Sequence, residues 1–140
     1  MESYTRLRAP LILLVDDSGD LRSMYTEYLV GAGFRVETAG NGNEAVALTL
    51  ALVPNFILMD LDLPGLDGWE AARLIRSYRR TQAIPIVALS GLHDTASVMR
   101  AISAGCNRFL PKPCKPGDLE SVIRSTMQEE SERRAGLISN

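Results

Sequence analysis

Five β-strands alternating with five α-helices around a parallel sheet: this α/β fold is predicted by three observations. Three short runs, Leu11-Ile12-Leu13-Leu14-Val15, Phe56-Ile57-Leu58-Met59 and Ile86-Val87-Ala88-Leu89, are continuously apolar, as in strands covered on both faces. Apolar stripes at helical spacing separate them. Gly, Pro and Asn punctuate nearly every junction. Strands that alternate with helices imply right-handed crossovers and helices on both faces of the sheet.

The elements follow in order. After Leu11 to Val15 come Asp16, Asp17 and Ser18. Leu21, Met24, Tyr25 and Tyr28 then fall at i, i+3, i+4 and i+7, a helix stopped by Gly31 and Gly33. Phe34, Val36 and Thr38 alternate with charged residues, which predicts a half-exposed edge strand. Asn41-Gly42 opens a turn into a helix striped by Ala45, Leu48, Thr49 and Leu52, and Pro54 ends it. The third strand terminates on Asp60. Asp62 and the turn residues Pro64, Gly65, Asp67 and Gly68 follow. The next helix turns Ala71, Leu74, Ile75 and Tyr78 inward, and Arg73, Arg76, Arg79 and Arg80 to a mostly solvated face. The fourth strand ends on Ser90-Gly91. Thr95, Val98, Met99 and Ile102 predict the fourth helical stripe, with Gly105 as its stop. Arg108-Phe109-Leu110 is a short strand before Pro111-Lys112-Pro113, and Leu119, Val122, Ile123 and Thr126 mark the last helix. Residues 1–10 read as a lead-in, 11–127 as one domain, and 128–140 as a polar extension that is solvated or frays.

Composition narrows the function. The 140 residues are 46% hydrophobic and 23% charged, a globular balance with enough length for a core. A net charge of −2 gives no nucleic-acid footprint. No apolar run is long enough for membrane insertion, and no signal-peptide pattern precedes Asp16, so a cytoplasmic protein is expected. Cys106 and Cys114 lack metal-ligand spacing and read as packed free thiols, and His93 is the only histidine.

In a parallel sheet every strand points its C-terminal end to one edge, where ligands bind. That edge receives Asp16 and Asp17, then Asp60, Ser90 and Lys112, from four strands. Three carboxylates about 5 Å apart repel by roughly 3 kcal/mol per pair at an effective dielectric near 20. Such a cluster holds protons or recruits cations, and a hard ion such as Mg²⁺ suits its oxygens. With a cation and Lys112 beside it, a carboxylate can act as nucleophile toward a phosphoryl group.

The Asp16-Asp17 pair, Asp60 in MDLDLPGLDG, Ser90 in VALSG and Lys112-Pro113 resemble the receiver domain of two-component response regulators, in particular a chemotaxis-regulator-like single-domain receiver. The resemblance runs from about Leu11 to Met127. It implies a doubly wound, flavodoxin-like (βα)5 sandwich with strand order 2-1-3-4-5. It also implies that Asp60 accepts phosphate, with Asp16, Asp17, Asp60 and the backbone carbonyl of Asp62 holding Mg²⁺. Ser90 and Phe109 become the switch pair, Lys112 contacts the phosphoryl group, and the Lys112–Pro113 bond is cis. Ser90 stands where Thr is commoner, Phe109 where Tyr is commoner, and Cys114 where a large aromatic is usual.

The implied function is a phosphorelay switch rather than an enzyme, catalysing only its own phosphorylation and dephosphorylation. Its expected partners are a histidine kinase or phosphotransfer protein, and a downstream protein bound through the fourth helix, fifth strand and fifth helix. Neither direct nucleic-acid contact nor membrane insertion is expected, and the chain should be a monomer or weak dimer. Two alternatives compete: a haloacid-dehalogenase-like phosphohydrolase using Asp60 and Asp62, and a receiver-like interaction module independent of phosphorylation. Asp62, two residues past Asp60, should emerge on the same side and border the path of an anionic phosphodonor.

Overall fold

A computed structural model of the protein describes residues 9–63, 65–92 and 94–138. Most of the lead-in, Pro64, His93 and the last two residues lie outside that set. The strands are β1 (Leu11–Val15), β2 (Arg35–Ala39), β3 (Phe56–Asp60), β4 (Ile86–Ser90) and β5 (Arg108–Pro111). The helices are α1 (Gly19–Gly31), α2 (Gly42–Leu52), α3 (Gly68–Ser77), α4 (Thr95–Ser103) and α5 (Pro116–Arg134). The sheet is parallel, in the order β2-β1-β3-β4-β5. The predicted α/β class, the strand order and the edge position of β2 are all present.

Two apolar layers hold the sandwich. On one face Ile12, Leu14, Phe56, Leu58, Val87 and Leu89 meet Tyr25 and Leu29 of α1 and Leu119 and Ile123 of α5. On the other, Leu13, Val15, Ile57, Met59, Ile86 and Ala88 meet α2, α3 and α4. Alternation along each strand assigns its residues to the two layers, and every residue of β3 and β4 is buried. Full burial of each large aliphatic side chain contributes roughly 1.5–3 kcal/mol, so the central strands form a stiff platform.

Several helix faces differ from the periodic reading. On α1, Tyr25 and Leu29 face inward while Met24 and Tyr28 are exposed. On α3, Ala72 joins Ala71 and Ile75 in the core and Tyr78 is exposed. On α4 the inward residue is Ala101, followed by Ala104 just past the helix, whereas Met99 and Ile102 are 59% and 55% exposed. Small side chains let this helix lie close to the sheet and leave its larger aliphatics outside. Arg76 is not part of a solvated face. It donates to the carbonyls of Gly105 (2.9 Å), Ile84 (2.6 Å) and Gln82 (3.1 Å) and to Asn107 Oδ1 (2.9 Å), tying α3 to the loops around β4. Desolvation lowers its pKa.

The helix α5 continues to Arg134 where the apolar stripe predicted an end near Met127. Ion pairs replace the stripe: Arg133 pairs with Glu130 one turn away, and Glu129 pairs with Arg108 of β5. Side-chain pairs three and four apart support a helix without an apolar face. Both cysteines are free, with Cys106 buried and Cys114 half-buried.

Candidate functional site

The strand register brings the polar strand ends level. Val15 lies opposite Met59, so Asp16 emerges beside Asp60. Asp60 lies opposite Leu89, which sets Ser90 one residue further out. Ser90 in turn lies opposite Pro111, so Lys112 stands at the rim. Asp60 is 0% exposed although it ends a strand. Its Oδ1 accepts the N–H of Asp62 at 2.9 Å, and its Oδ2 is 2.9 Å from Lys112 Nζ. Asp16 is also buried, with Oδ1 accepting the Ser18 N–H at 2.9 Å and Oδ2 lying 3.7 Å from the same ammonium. Ser18 caps α1 by accepting the Leu21 N–H, so one turn both starts that helix and orients Asp16. Arg22 Nη1, one turn into α1, donates to the Asp16 carbonyl at 2.6 Å.

The loop after β3 is held by close backbone packing. A Cβ on Gly68 would stand 2.5 Å from the Asp60 carbonyl oxygen and 2.7 Å from Leu61 Cα, so only glycine lets α3 start against the end of β3. Asp67 caps α3 by accepting the Glu70 N–H at 2.8 Å. Beyond it, the Arg100 guanidinium lies 4.0 Å above the Trp69 ring and 3.9 Å from Asp67, bridging α4 to the start of α3.

The electrostatics follow from this placement. Burial raises the Asp60 pKa; the Asp62 N–H and Lys112 pull it down, while Asp16 adds to the rise. For Lys112 burial acts to lower the pKa, but hydrogen bonding and charge from Asp60, with Asp16 and Asp62, outweigh it and the net shift is upward. One carboxylate oxygen from each of Asp16, Asp17 and Asp60 lies within 4.8 Å of the others. Asp16 Oδ2 and Asp60 Oδ2 are buried without a well-directed hydrogen-bond donor. Two such anionic oxygens beside the exposed Asp17 fit a hard divalent cation on chemical grounds.

The Asp62 side chain makes contacts that alternation along the strand did not predict. The residue's own N–H bonds back to Asp60, which closes a turn and ends the strand geometry, so alternation no longer applies. Its carboxylate reaches β4 and accepts from Ser90 Oγ (3.3 Å to each oxygen) and from the Gly91 N–H (3.3 Å). The Lys112–Pro113 peptide bond is cis, as the resemblance implied. Phe109 is half-buried against the layer under α2, α3 and α4. The structure brings Asp16, Asp17, Asp60 and Lys112 together and sets Ser90 at the same sheet edge. Sequence reading missed Arg22 and Gly68, though a glycine opening a helix was a usable sign of close approach.

A profile of the response regulator receiver domain matches residues 12–124. This chain belongs to that family. The receiver is 33% identical over 128 residues to the DNA-binding response regulator MtrA of Mycobacterium tuberculosis, a match covering 91% of this chain and 55% of that protein. The chain thus spans about half the length of the curated relatives it matches. Among solved structures it is similar to the chemotaxis protein CheY4 of Vibrio cholerae, with 28% identity and a TM-score of 0.81, covering 84% and 98% of the two chains. It is also similar to the receiver domain of a sensor histidine kinase of Pseudomonas aeruginosa, crystallised with magnesium in its active-site cleft. There the identity is 31% and the TM-score 0.80, over 86% of this chain and 98% of that one. The protein is therefore a receiver domain of two-component signalling, and the phosphohydrolase reading is not favoured. No helix among the described residues is long and apolar enough to cross a membrane.

Proposed function

We propose that this receiver takes a phosphoryl group onto Asp60 and passes the change to a protein partner. The observation that carries the reading is the setting of Asp60: a fully buried carboxylate 2.9 Å from an ammonium, in a cluster with Asp16 and Asp17. An Asp60 oxygen attacks phosphorus, and the bond to the donor breaks in line. From a phosphohistidine of a kinase or phosphotransfer protein, the P–N electron pair leaves with the imidazole; from acetyl phosphate, acetate leaves. Lys112 holds its charge against the phosphoryl oxygens, and Ser90 offers its hydroxyl proton to one of them. Mg²⁺, held by Asp16, Asp17, Asp60 and the Asp62 carbonyl, would neutralise charge on those oxygens. Water later hydrolyses the aspartyl phosphate, so the only catalysis is of the domain's own modification.

Movement of Ser90 toward the phosphoryl group frees room for Phe109 to turn inward. That biases the surface of α4, β5 and α5, where Leu92, Met99 and Ile102 are exposed. Output then runs through a partner on that surface, in a cytoplasmic setting, with the receiver as monomer or weak dimer. Residues 11–127 act as the receiver proper, and 128–140 as an appendage to α5. The test is mass spectrometry after incubation with acetyl phosphate, with MgCl₂ or with EDTA, in wild type and Ser90→Ala. One added phosphoryl group in both proteins with MgCl₂ only, and NMR shifts on the α4–β5–α5 surface in wild type alone, support the reading. Equal shifts in both proteins would sink the Ser90 coupling, and failure to label would sink the acceptor role.

A further inference from the structure

We propose that the Asp62 side chain is an internal stand-in for the phosphoryl group. In the unphosphorylated receiver its carboxylate, steadied by the Gly91 N–H, engages the Ser90 hydroxyl, and it must release that hydroxyl before Ser90 can donate to a phosphoryl oxygen. The proposal deepens the reading above and rests on it, because that hydroxyl matters only if Asp60 is the acceptor. Both Asp62 oxygens lie 3.3 Å from Ser90 Oγ, and Oδ2 lies 3.3 Å from Gly91 N. Ser90 Oγ already accepts the Leu92 N–H at 3.0 Å.

A hydroxyl carries one proton, so Ser90 cannot donate to Asp62 and to a phosphoryl oxygen at once. Carboxylate and phosphoryl oxygens are alike to that donor, since both are anionic acceptors. Asp62 is also tethered to the acceptor itself, through its N–H on Asp60 Oδ1. Asp62 is therefore a positioning residue that acts through Ser90. It keeps the hydroxyl pointed away from Asp60 until a stronger anion arrives, and the switch stays off without needing distance or bulk.

A plain repulsion between Asp62 and the incoming anion would also weaken binding, and the two mechanisms differ in one respect. Repulsion acts whether or not Ser90 has a hydroxyl, whereas competition needs it. A double-mutant cycle separates them. The probe is beryllium fluoride with MgCl₂, which mimics a phosphoryl group on a carboxylate, and its Kd is read by calorimetry. Asp62→Ala should tighten binding about tenfold, the low end for a hydrogen bond to a charged group given these long contacts. Asp62→Asn, which keeps the shape and a weaker acceptor, should tighten it about threefold. In the Ser90→Ala background, Asp62→Ala should change the Kd by less than about twofold. In the ligand-free protein the Gly91 amide proton should shift upfield on Asp62→Ala, a readout independent of phosphoryl chemistry. An equal gain in both backgrounds, no gain in either, or an unmoved Gly91 amide would overturn the proposal while leaving the acceptor role intact. Absence of beryllium fluoride binding in wild type and every variant would overturn the acceptor role, and this inference with it.

Discussion

Replacing Lys112 with Met removes the ammonium that faces two buried carboxylates while keeping most of its aliphatic length. At 2.9 Å from Asp60 and 3.7 Å from Asp16, gross attractions are about 6 and about 4.5 kcal/mol at an effective dielectric near 20. Desolvation of the ammonium cancels much of this, and its side chain is 24% exposed. Breaking a buried ion pair from one side costs about 3–5 kcal/mol, so the rim position argues for about 3 kcal/mol. What remains is the bare repulsion between Asp16 and Asp60, which a divalent cation can relieve. Lys112→Met should therefore lose about 3 kcal/mol relative to wild type in EDTA, and less than about 1 kcal/mol in saturating MgCl₂. Urea unfolding followed by circular dichroism in the two buffers measures both differences. Equal losses with and without the cation would mean that Lys112 matters for packing, and the electrostatic account of the cluster would fail.

Three further outcomes are expected. Gly68→Ala drives a Cβ into the Asp60–Leu61 backbone and should cost about 1–3 kcal/mol, with a lower rate of labelling by acetyl phosphate; wild-type values of both would show that α3 does not brace Asp60. Arg76→Ala should cost about 2–3 kcal/mol by stranding carbonyls, against less than about 0.5 kcal/mol for the exposed Arg73 that pairs with Glu70, and similar melting temperatures for the two would refute the distinction. Burial pushes the Cys106 thiol from 9.0 up to about 11. The folded state then holds the proton that the unfolded state releases. Stability should fall as pH rises from 9 toward 11, by up to about 2–3 kcal/mol, and Cys106→Ala should lack this loss in urea melts across that range.

The strand-end cluster was legible because it depends on topology alone. Once Asp16, Asp60, Ser90 and Lys112 are recognised as the first polar residues after parallel strands, the sheet brings them together whatever the side-chain packing. Helix faces were less legible for a reason visible in α4. Periodicity offers Met99 and Ile102 as an inward stripe, but the close approach of helix to sheet selects Ala101 and exposes the larger pair. Arg76 was misread because a guanidinium at helical spacing looks solvated until the loop carbonyls it serves are in place. The continuation of α5 past Met127 rests on charge pairs that an apolar stripe does not register. The contacts of the Asp62 side chain escaped because the strand ends at Asp60, two residues before it, in a turn closed by the Asp60 carboxylate.

Site mapping of the phosphoryl group tests the central claim most directly. The protein is treated with acetyl phosphate and MgCl₂, reduced with borohydride to convert an aspartyl phosphate to homoserine, digested and sequenced by mass spectrometry. Homoserine at position 60, absent in EDTA and absent from Asp60→Asn, is the expected result. Homoserine at Asp16, Asp17 or Asp62 in the wild type, or a phosphoryl group still carried by Asp60→Asn, would contradict it.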